Sequence, residues 1–330
     1  MGRFGWCFIG YGGIANTVAK QIVKANHEIV SVYGRNFEKA SQFADKYGAT
    51  AYRTLEEALS ANDVEGVYIT TPNDSHAAYT KQCIVLGKPV LCEKPFALDR
   101  TETEQVLSLA EKADVYVAEA MWTWHNSISL QVKSWISSGA IGDIVSVEAR
   151  YAFPMLRKGD TTSRLVSPAA GGGSLLDIGI YPIRYVYELF GKPEDITCCG
   201  KLYNGVDIEE TVEMKYAGFS AKLFISFQKF KGEKMVIRGT TGSITIPLFH
   251  MATKAVLRAE KRLVIRSGKR YLSAYTAEFD NTAREIRAGE TQSGYVPHRA
   301  TIDTMEFLDA CRRQLGVVYP GECTKDLRDE

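Results

Sequence analysis

No apolar run in this chain reaches the roughly 18 residues that a membrane-spanning helix needs, so no bilayer span is expected. Neither charge sign dominates: 40 basic residues stand against 39 acidic ones, for a net charge of +1. That balance offers nothing to attract nucleic acid or an anionic membrane surface. Repeats and low-complexity segments are missing. The seven cysteines, Cys7, Cys83, Cys92, Cys198, Cys199, Cys311 and Cys323, show no C-x-x-C spacing, and no metal site is expected. Several lie in apolar, strand-like runs, as reduced thiols of a cytoplasmic protein do. The neighbours Cys198 and Cys199 fit the two faces of one strand. The first strand begins at Phe4, which leaves no room for a signal peptide and supports the same cytoplasmic expectation. What remains is an ordinary globular composition, 45% hydrophobic and 24% charged, in 330 residues. That length exceeds a usual single core and predicts two domains.

The chain is organised around Phe4 to Ala15, FGWCFIGYGGIA. An apolar run, Phe4 to Ile9, has the character of a buried parallel strand. Gly10-Tyr11-Gly12-Gly13-Ile14-Ala15 follows with the pattern G-x-G-x-x-A, and then Val18, Ile22 and Val23 at helical spacing. Strand, glycine turn and helix form the context in which this pattern means a dinucleotide. Gly10 allows the tight turn. Gly12 removes a side chain where a pyrophosphate approaches the backbone. Ala15 lets the helix lie close on the strand. The N–H groups at the start of the helix, near Gly13 and Ile14, then face the phosphates.

A second strand, Glu28 to Tyr33, ends at Gly34-Arg35-Asn36. An NAD site keeps an acidic residue near this strand end for the ribose hydroxyl. Here there is none, and Arg35 suits a 2′-phosphate, which predicts NADP over NAD. Strands follow at Ala49 to Tyr52, Val67 to Thr70, Pro89 to Cys92 and Val115 to Ala118, with helices between them. Thr71, Pro72, Asn73 and His76 fall at the carboxyl end of the fourth strand, where open α/β sheets bind ligands. Asn73 suits a helix cap equally well. Glu93, Lys94 and Pro95 end the fifth strand, and the proline holds Lys94 in an extended conformation. Six alternating strands make a doubly wound α/β sheet, and the first domain is placed at residues 1–120. Residues 121–330 then carry a half-exposed strand from Ile144 to Phe153. A helix after Gly171-Gly172-Gly173-Ser174, several short β runs between 194 and 267, and two closing helices follow. Short connections predict an antiparallel sheet. Its second, partly apolar face lacks helices to cover it, which predicts a homodimer.

The motifs GYGGIA, TPNDSHA, CEKPFA, EAMW, RLVSPAAGGGSLLDIGIYP and the closing VPHRATIDTMEFLDACRRQLGVVYPGE together resemble the glucose–fructose oxidoreductase and inositol dehydrogenase (Gfo/Idh/MocA) family over nearly the whole chain. Within that family the likeness is to dimeric trans-1,2-dihydrodiol dehydrogenases and NADP-dependent aldose dehydrogenases. The resemblance implies a Rossmann domain followed by an α+β domain with a large open antiparallel sheet. It also implies a sugar or cyclic diol as small-molecule substrate.

Hydride transfer at an alcohol carbon needs a group that takes or gives the hydroxyl proton. Tyr181 can serve if a cation lowers its pKa, and Lys94 is the candidate cation. Asp177 lies four residues before Tyr181 and shares its helix face. The family pattern assigns the same three positions. Ser174-x-x-Asp177 is equally a capping-box spacing, so Asp177 also suits a helix start. The likeness further suggests Arg150 as a basic residue near the substrate; Trp122 suits a substrate wall, or the core. After EAMW the chain departs from its relatives: Trp124 replaces an arginine and Ser127 a proline. Substrate transfer from any one relative is therefore unsafe. Two readings stand: an NAD(P)-dependent oxidoreductase, and a cofactor-binding regulator without catalysis. The three intact polar residues favour the first. An imine or enone reductase on the same scaffold differs only in substrate.

Overall fold

A computed structural model describes residues 2–157, 159–260, 262–268 and 273–322, so Cys323 lies outside the described residues. The chain divides into two compact units. The first comprises Met1–Ala97, Thr101–His125 and Leu272–Thr301; the second comprises Leu98–Arg100, Asn126–Tyr271 and Ile302–Glu330. The sequence reading placed segment 272–301 with the second domain, but it belongs to the first unit.

The first unit is built on β1 (Phe4–Ile9), β2 (His27–Tyr33), β3 (Thr50–Ala51), β4 (Gly66–Ile69), β5 (Val90–Glu93) and β6 (Val117–Ala120). All are parallel, in the order β3-β2-β1-β4-β5-β6. The connecting helices are α1 (Gly13–Ile22), α2 (Phe37–Tyr47), α3 (Leu55–Leu59), α4 (His76–Val85) and α5 (Arg100–Ala113). Local signals in the sequence set the helix starts. Asn36 accepts the Lys39 N–H at the start of α2, and Thr54 and Glu57 form the reciprocal capping box of α3. All six residues of β1 are buried, as a central strand covered on both faces requires. Trp6 and Tyr68 pack on Phe279, with ring centroids 4.7 and 5.1 Å apart. Phe279 lies on a late helix, Ser273–Arg287, which explains why that segment returns to this unit. β6 begins two residues later than the periodicity suggested, so Glu119 is a buried strand residue rather than part of a loop.

The second unit holds helices α6 (Ser127–Ser137) and α7 (Ile180–Phe190) and an eight-stranded sheet. Its strands are β7 (Ile144–Ala152), β8 (Asp195–Tyr203), β9 (Val206–Tyr216), β10 (Phe219–Ser226), β11 (Gly232–Gly239), β12 (Gly242–Pro247), β13 (Lys254–Ala259) and β14 (Arg262–Ser267). Their order is β14-β13-β12-β11-β7-β10-β9-β8, antiparallel except for the parallel β7–β10 pair. The helix at Ser273–Arg287 is α8, and His298–Leu315 is α9. One sheet face buries Val147, Ala149, Leu223, Ile225, Met235 and Ile237. The other carries Glu148, Arg150, Lys222, Lys234 and Arg238, tied by a cross-strand Arg238–Glu148 pair at 2.8 Å. The open face is partly apolar, as expected: Phe224, Val236, Val256, Leu263 and Ile265 lie on it among these charged residues. None of the described helices is long and apolar enough to cross a membrane.

Candidate active site

At the end of β1 the chain turns at Gly10, whose φ is +110°; a Cβ there would sit 2.7 Å from the Thr70 carbonyl oxygen. The Gly10 N–H donates to Tyr33 O at 2.9 Å. The turn thus lies between the carboxyl ends of β2 and β4, at the point where the strand order reverses. Gly12 and Gly13 are different. A Cβ on either meets nothing within 4 Å, so the protein's own packing does not require the missing side chains. A ligand lying against the backbone would. The first turn of α1 carries no acidic side chain, and its N–H groups lack partners by helix geometry. Ala15 is fully buried against the sheet. These residues fit a dinucleotide pyrophosphate, with Ile14 in the same turn.

Beyond β2, Gly34 accommodates the Tyr11 ring, which any Cβ there would strike. The Tyr11 hydroxyl accepts the Asn36 N–H at 3.3 Å. Arg35 is exposed at this strand end, and no carboxylate of the described residues pairs with it. At the end of β4, Thr71 and Pro72 are half-buried and Asn73 is buried in a 3₁₀ turn leading into α4.

His76 and Glu93, expected as cofactor contacts, also have partners inside the protein. His76 is buried, with Nδ1 2.7 Å from Pro95 O and Nε2 2.9 Å from Thr71 O. A neutral ring donates to one of these carbonyls from its single N–H, and the ring sits between the loop after β4 and the loop after β5. Burial pulls its pKa down, while the two carbonyls pull it up more weakly. Glu93 turns into the core. Its Oε1 accepts from the Tyr68 hydroxyl at 2.5 Å and its Oε2 from the Lys94 N–H at 3.3 Å. Burial raises its pKa, against the opposing charge of Lys94. Glu119 adds a third brace, accepting from Phe96 N at 3.2 Å and from Thr301 Oγ1 at 3.0 Å. Lys94 itself is half-buried and precedes a cis peptide to Pro95. Three buried side chains therefore fix the loop that presents the lysine, at the same sheet edge as the glycine turn. Sequence reasoning missed Tyr68 and Glu119 because a buried carboxylate has no local pattern. Trp122 is buried and lies flat on Tyr275, 4.1 Å away, so one of its faces is covered within the unit.

In the second unit Asp177 sits on a π-helical turn, Leu175–Gly179, and Tyr181 in the first turn of α7. Four residues still make about one turn there, so the two remain neighbours along one face. The capping-box alternative is not what forms. Ser174 makes no side-chain cap bond; its hydroxyl donates to Glu210 at 2.5 Å and Asp207 at 3.3 Å. Asp207, from β9, takes the capping place by accepting the Leu175 N–H at 2.6 Å. Burial raises the pKa of Asp207 and raises that of Glu210 well above the carboxylate range. Asp177 instead lies 3.5 Å from Arg164.

Arg150 is also corrected. Strand alternation puts it on the outer sheet face, where Nε donates to Lys231 O at 2.7 Å. Its neighbour Tyr151 points to the inner face, with its ring 6.2 Å from that of Tyr181. His250 lies 5.0 Å from Tyr181 and stacks on Tyr151 at 4.8 Å. Neither residue was identified from the sequence, although the buried parity of Val147 and Ala149 assigns Tyr151 to this face. Among the described residues no group of His, Cys, Asp and Glu is arranged to hold a metal ion.

Comparison with known proteins agrees with this geometry. Residues 4–121 match the oxidoreductase family with an NAD-binding Rossmann fold, and residues 129–245 match the Gfo/Idh/MocA C-terminal domain. The chain is 30% identical to a trans-1,2-dihydrobenzene-1,2-diol dehydrogenase of Danio rerio, over 96% of this chain and 98% of that one. It is 30% identical to the NADP(+) scyllo-inositol 2-dehydrogenase IolU of Bacillus subtilis, over 89% and 92%. In fold it is similar to a 3-ketoreductase of Actinomadura kijaniata solved with NADP, at TM-score 0.81 and 22% identity, covering 95% of this chain and 98% of that one. It is likewise similar to an aldose–aldose oxidoreductase of Caulobacter crescentus, at TM-score 0.84 and 20% identity, covering 94% and 97%. With a glycine turn open above a helix N-terminus and relatives matching across both units, the chain belongs to the Gfo/Idh/MocA family of NAD-binding oxidoreductases.

Proposed function

We propose that this protein is an NADP-dependent dehydrogenase or reductase that interconverts a secondary alcohol and a carbonyl on a sugar or cyclic vicinal diol. One observation carries the reading. A side-chain-free helix N-terminus and a lysine on a braced loop stand at one carboxyl edge of the parallel sheet. Gly10, Gly12, Gly13 and Ile14 hold the pyrophosphate, Arg35 the 2′-phosphate, and Thr71, Pro72 and Asn73 flank the cofactor. The bound nicotinamide supplies or accepts a hydride at its C4. Tyr181 gives or takes the hydroxyl proton, Lys94 favours the phenolate by its charge, and Asp177 orients the substrate. The relatives' names support the substrate class, and the Bacillus relative and the Actinomadura structure support NADP.

The test is a dehydrogenase assay over aldoses and cyclic diols with each cofactor, together with the dissociation constants of NADP+ and NAD+. The reading expects turnover on one of these classes and tighter NADP+ binding. Preference for NAD+ would overturn the cofactor assignment, and inactivity on every aldose and diol the substrate class. We further propose a homodimer joined through the open face of the eight-stranded sheet; the breadth of that face supports it. Light scattering at micromolar concentration tests this, and a mass of 36.6 kDa would contradict it. A reducing, cytoplasmic location fits the six described cysteines, all of which are free thiols.

A further inference from the structure

Behind Tyr181 the second unit holds a hydrogen-bonded chain that the proposed reaction does not use. Glu233 of β11 stands directly opposite Tyr151 of β7 in the sheet register. Its carboxylate is buried. Oε1 accepts the His250 backbone N–H at 2.7 Å, and Oε2 lies 2.7 Å from His250 Nδ1. His250 Nε2 lies 3.3 Å from the Tyr151 hydroxyl. The loop that brings His250 here starts at Leu248, a non-glycine residue at φ +48°, whose N–H donates to Glu233 O at 3.2 Å. A branched side chain in the left-handed region is uncommon and is held there by its surroundings. The cluster is therefore built, from a strained loop and a buried acid.

The direction of the chain follows from donor and acceptor chemistry. An ionised carboxylate only accepts, so Nδ1 carries the imidazole proton. When the ring is neutral, Nε2 is an acceptor and takes the Tyr151 proton. With its hydrogen committed to His250, the Tyr151 oxygen can only accept from any third group. Burial, aided by the charge of Glu233, pushes the Tyr151 phenol far above its usual range and keeps it neutral.

We propose that Glu233 and His250 are positioning residues that make the Tyr151 oxygen a hydrogen-bond acceptor for a substrate hydroxyl next to the one served by Tyr181. This rests on the reading of Tyr181 as the proton-transfer group and extends it to specificity: the site selects a vicinal diol over a lone alcohol.

The test uses the whole protein saturated with NADP+, with trans-1,2-cyclohexanediol and cyclohexanol as probes in NMR titrations. Wild type binds the diol more tightly. Tyr151→Phe, which keeps the ring, loses about 3- to 10-fold of that preference, the worth of one neutral hydrogen bond. Glu233→Gln turns an amide N–H toward Nδ1 and reverses the tautomer, so Tyr151 donates to the second hydroxyl instead of accepting from it. The ¹⁵N imidazole signals read this directly: Nδ1 protonated in wild type, Nε2 protonated in Glu233→Gln. A purely structural role would lower the melting temperature and leave the preference intact. A protonated Nε2 in wild type, or equal binding of the two probes, overturns the proposal. Tyr181→Phe keeps the diol preference if Tyr151 supplies it, while its turnover judges the acid/base reading separately.

Discussion

Arg35 shows how much one side chain can decide at the residue scale. The end of β2 carries no acidic group, and this arginine is exposed there without an ionic partner among the described residues. A charged hydrogen bond to a phosphate contributes about 1.5–3 kcal/mol. Arg35→Ala should therefore weaken NADP+ by about 10-fold or more and leave NAD+ unchanged, as read by fluorescence titration of each; equal losses would count against the assignment. The missing acid and the glycine spacing were legible because they are local patterns. His76 and Glu93 were not. Both lie where cofactor contacts are expected, but a linear sequence does not reveal that Pro95 O, Thr71 O and Tyr68 stand within hydrogen-bond distance of their side chains. Arg150 and Tyr151 differ by one residue, and a strand's period of two puts them on opposite faces.

At the scale of elements, the start of α7 separates two accounts of Asp177. Capping by Asp177 was the alternative in the sequence, yet Asp207 from another strand accepts the Leu175 N–H. Asp207→Ala should cost about 1–3 kcal/mol in urea unfolding, because it leaves a buried N–H without an acceptor. Loss of the ion pair with Arg164 in Asp177→Asn should cost under about 1 kcal/mol, since Arg164 is 55% exposed and such pairs contribute little. The reverse order would restore the capping account. The starts of α2 and α3 are local in origin, because Asn36, Thr54 and Glu57 cap them from within the same few residues. The π-helical turn is not, since it depends on Asp207 and Glu210 some thirty residues away.

Across the whole molecule, burial has raised a set of carboxylates together: Glu93 and Glu278 in the first unit, Asp207 and Glu210 in the second. Glu278 on α8 is raised by burial first, then by the charges of Glu93 and Glu119, and its Oε1 has no hydrogen-bond partner among the described residues. A raised folded pKa means that the folded state holds the proton more tightly than the unfolded chain. The stability it contributes is complete below the ordinary carboxylate range and is lost as pH rises through the raised value. Glu278→Gln should thus leave the melting temperature unchanged near about pH 4 and raise it at about pH 8. Thermal unfolding at the two pH values checks this, and a lower melting temperature at the higher pH would contradict it. The two-sheet plan was visible from alternating strand and helix patterns. The return of α8 to the first unit was not, because it depends on Phe279 packing against Trp6 and Tyr68.

The central claim is that Tyr181 transfers the substrate proton. The direct test compares kcat of Tyr181→Phe with wild type on the substrate found active, alongside the NADP+ dissociation constant. Loss of a positioned proton-transfer group lowers the rate by about 10²- to 10⁴-fold. We predict a fall in kcat of that order with NADP+ affinity nearly unchanged; a variant that keeps near wild-type turnover would contradict the claim and place the proton donor elsewhere.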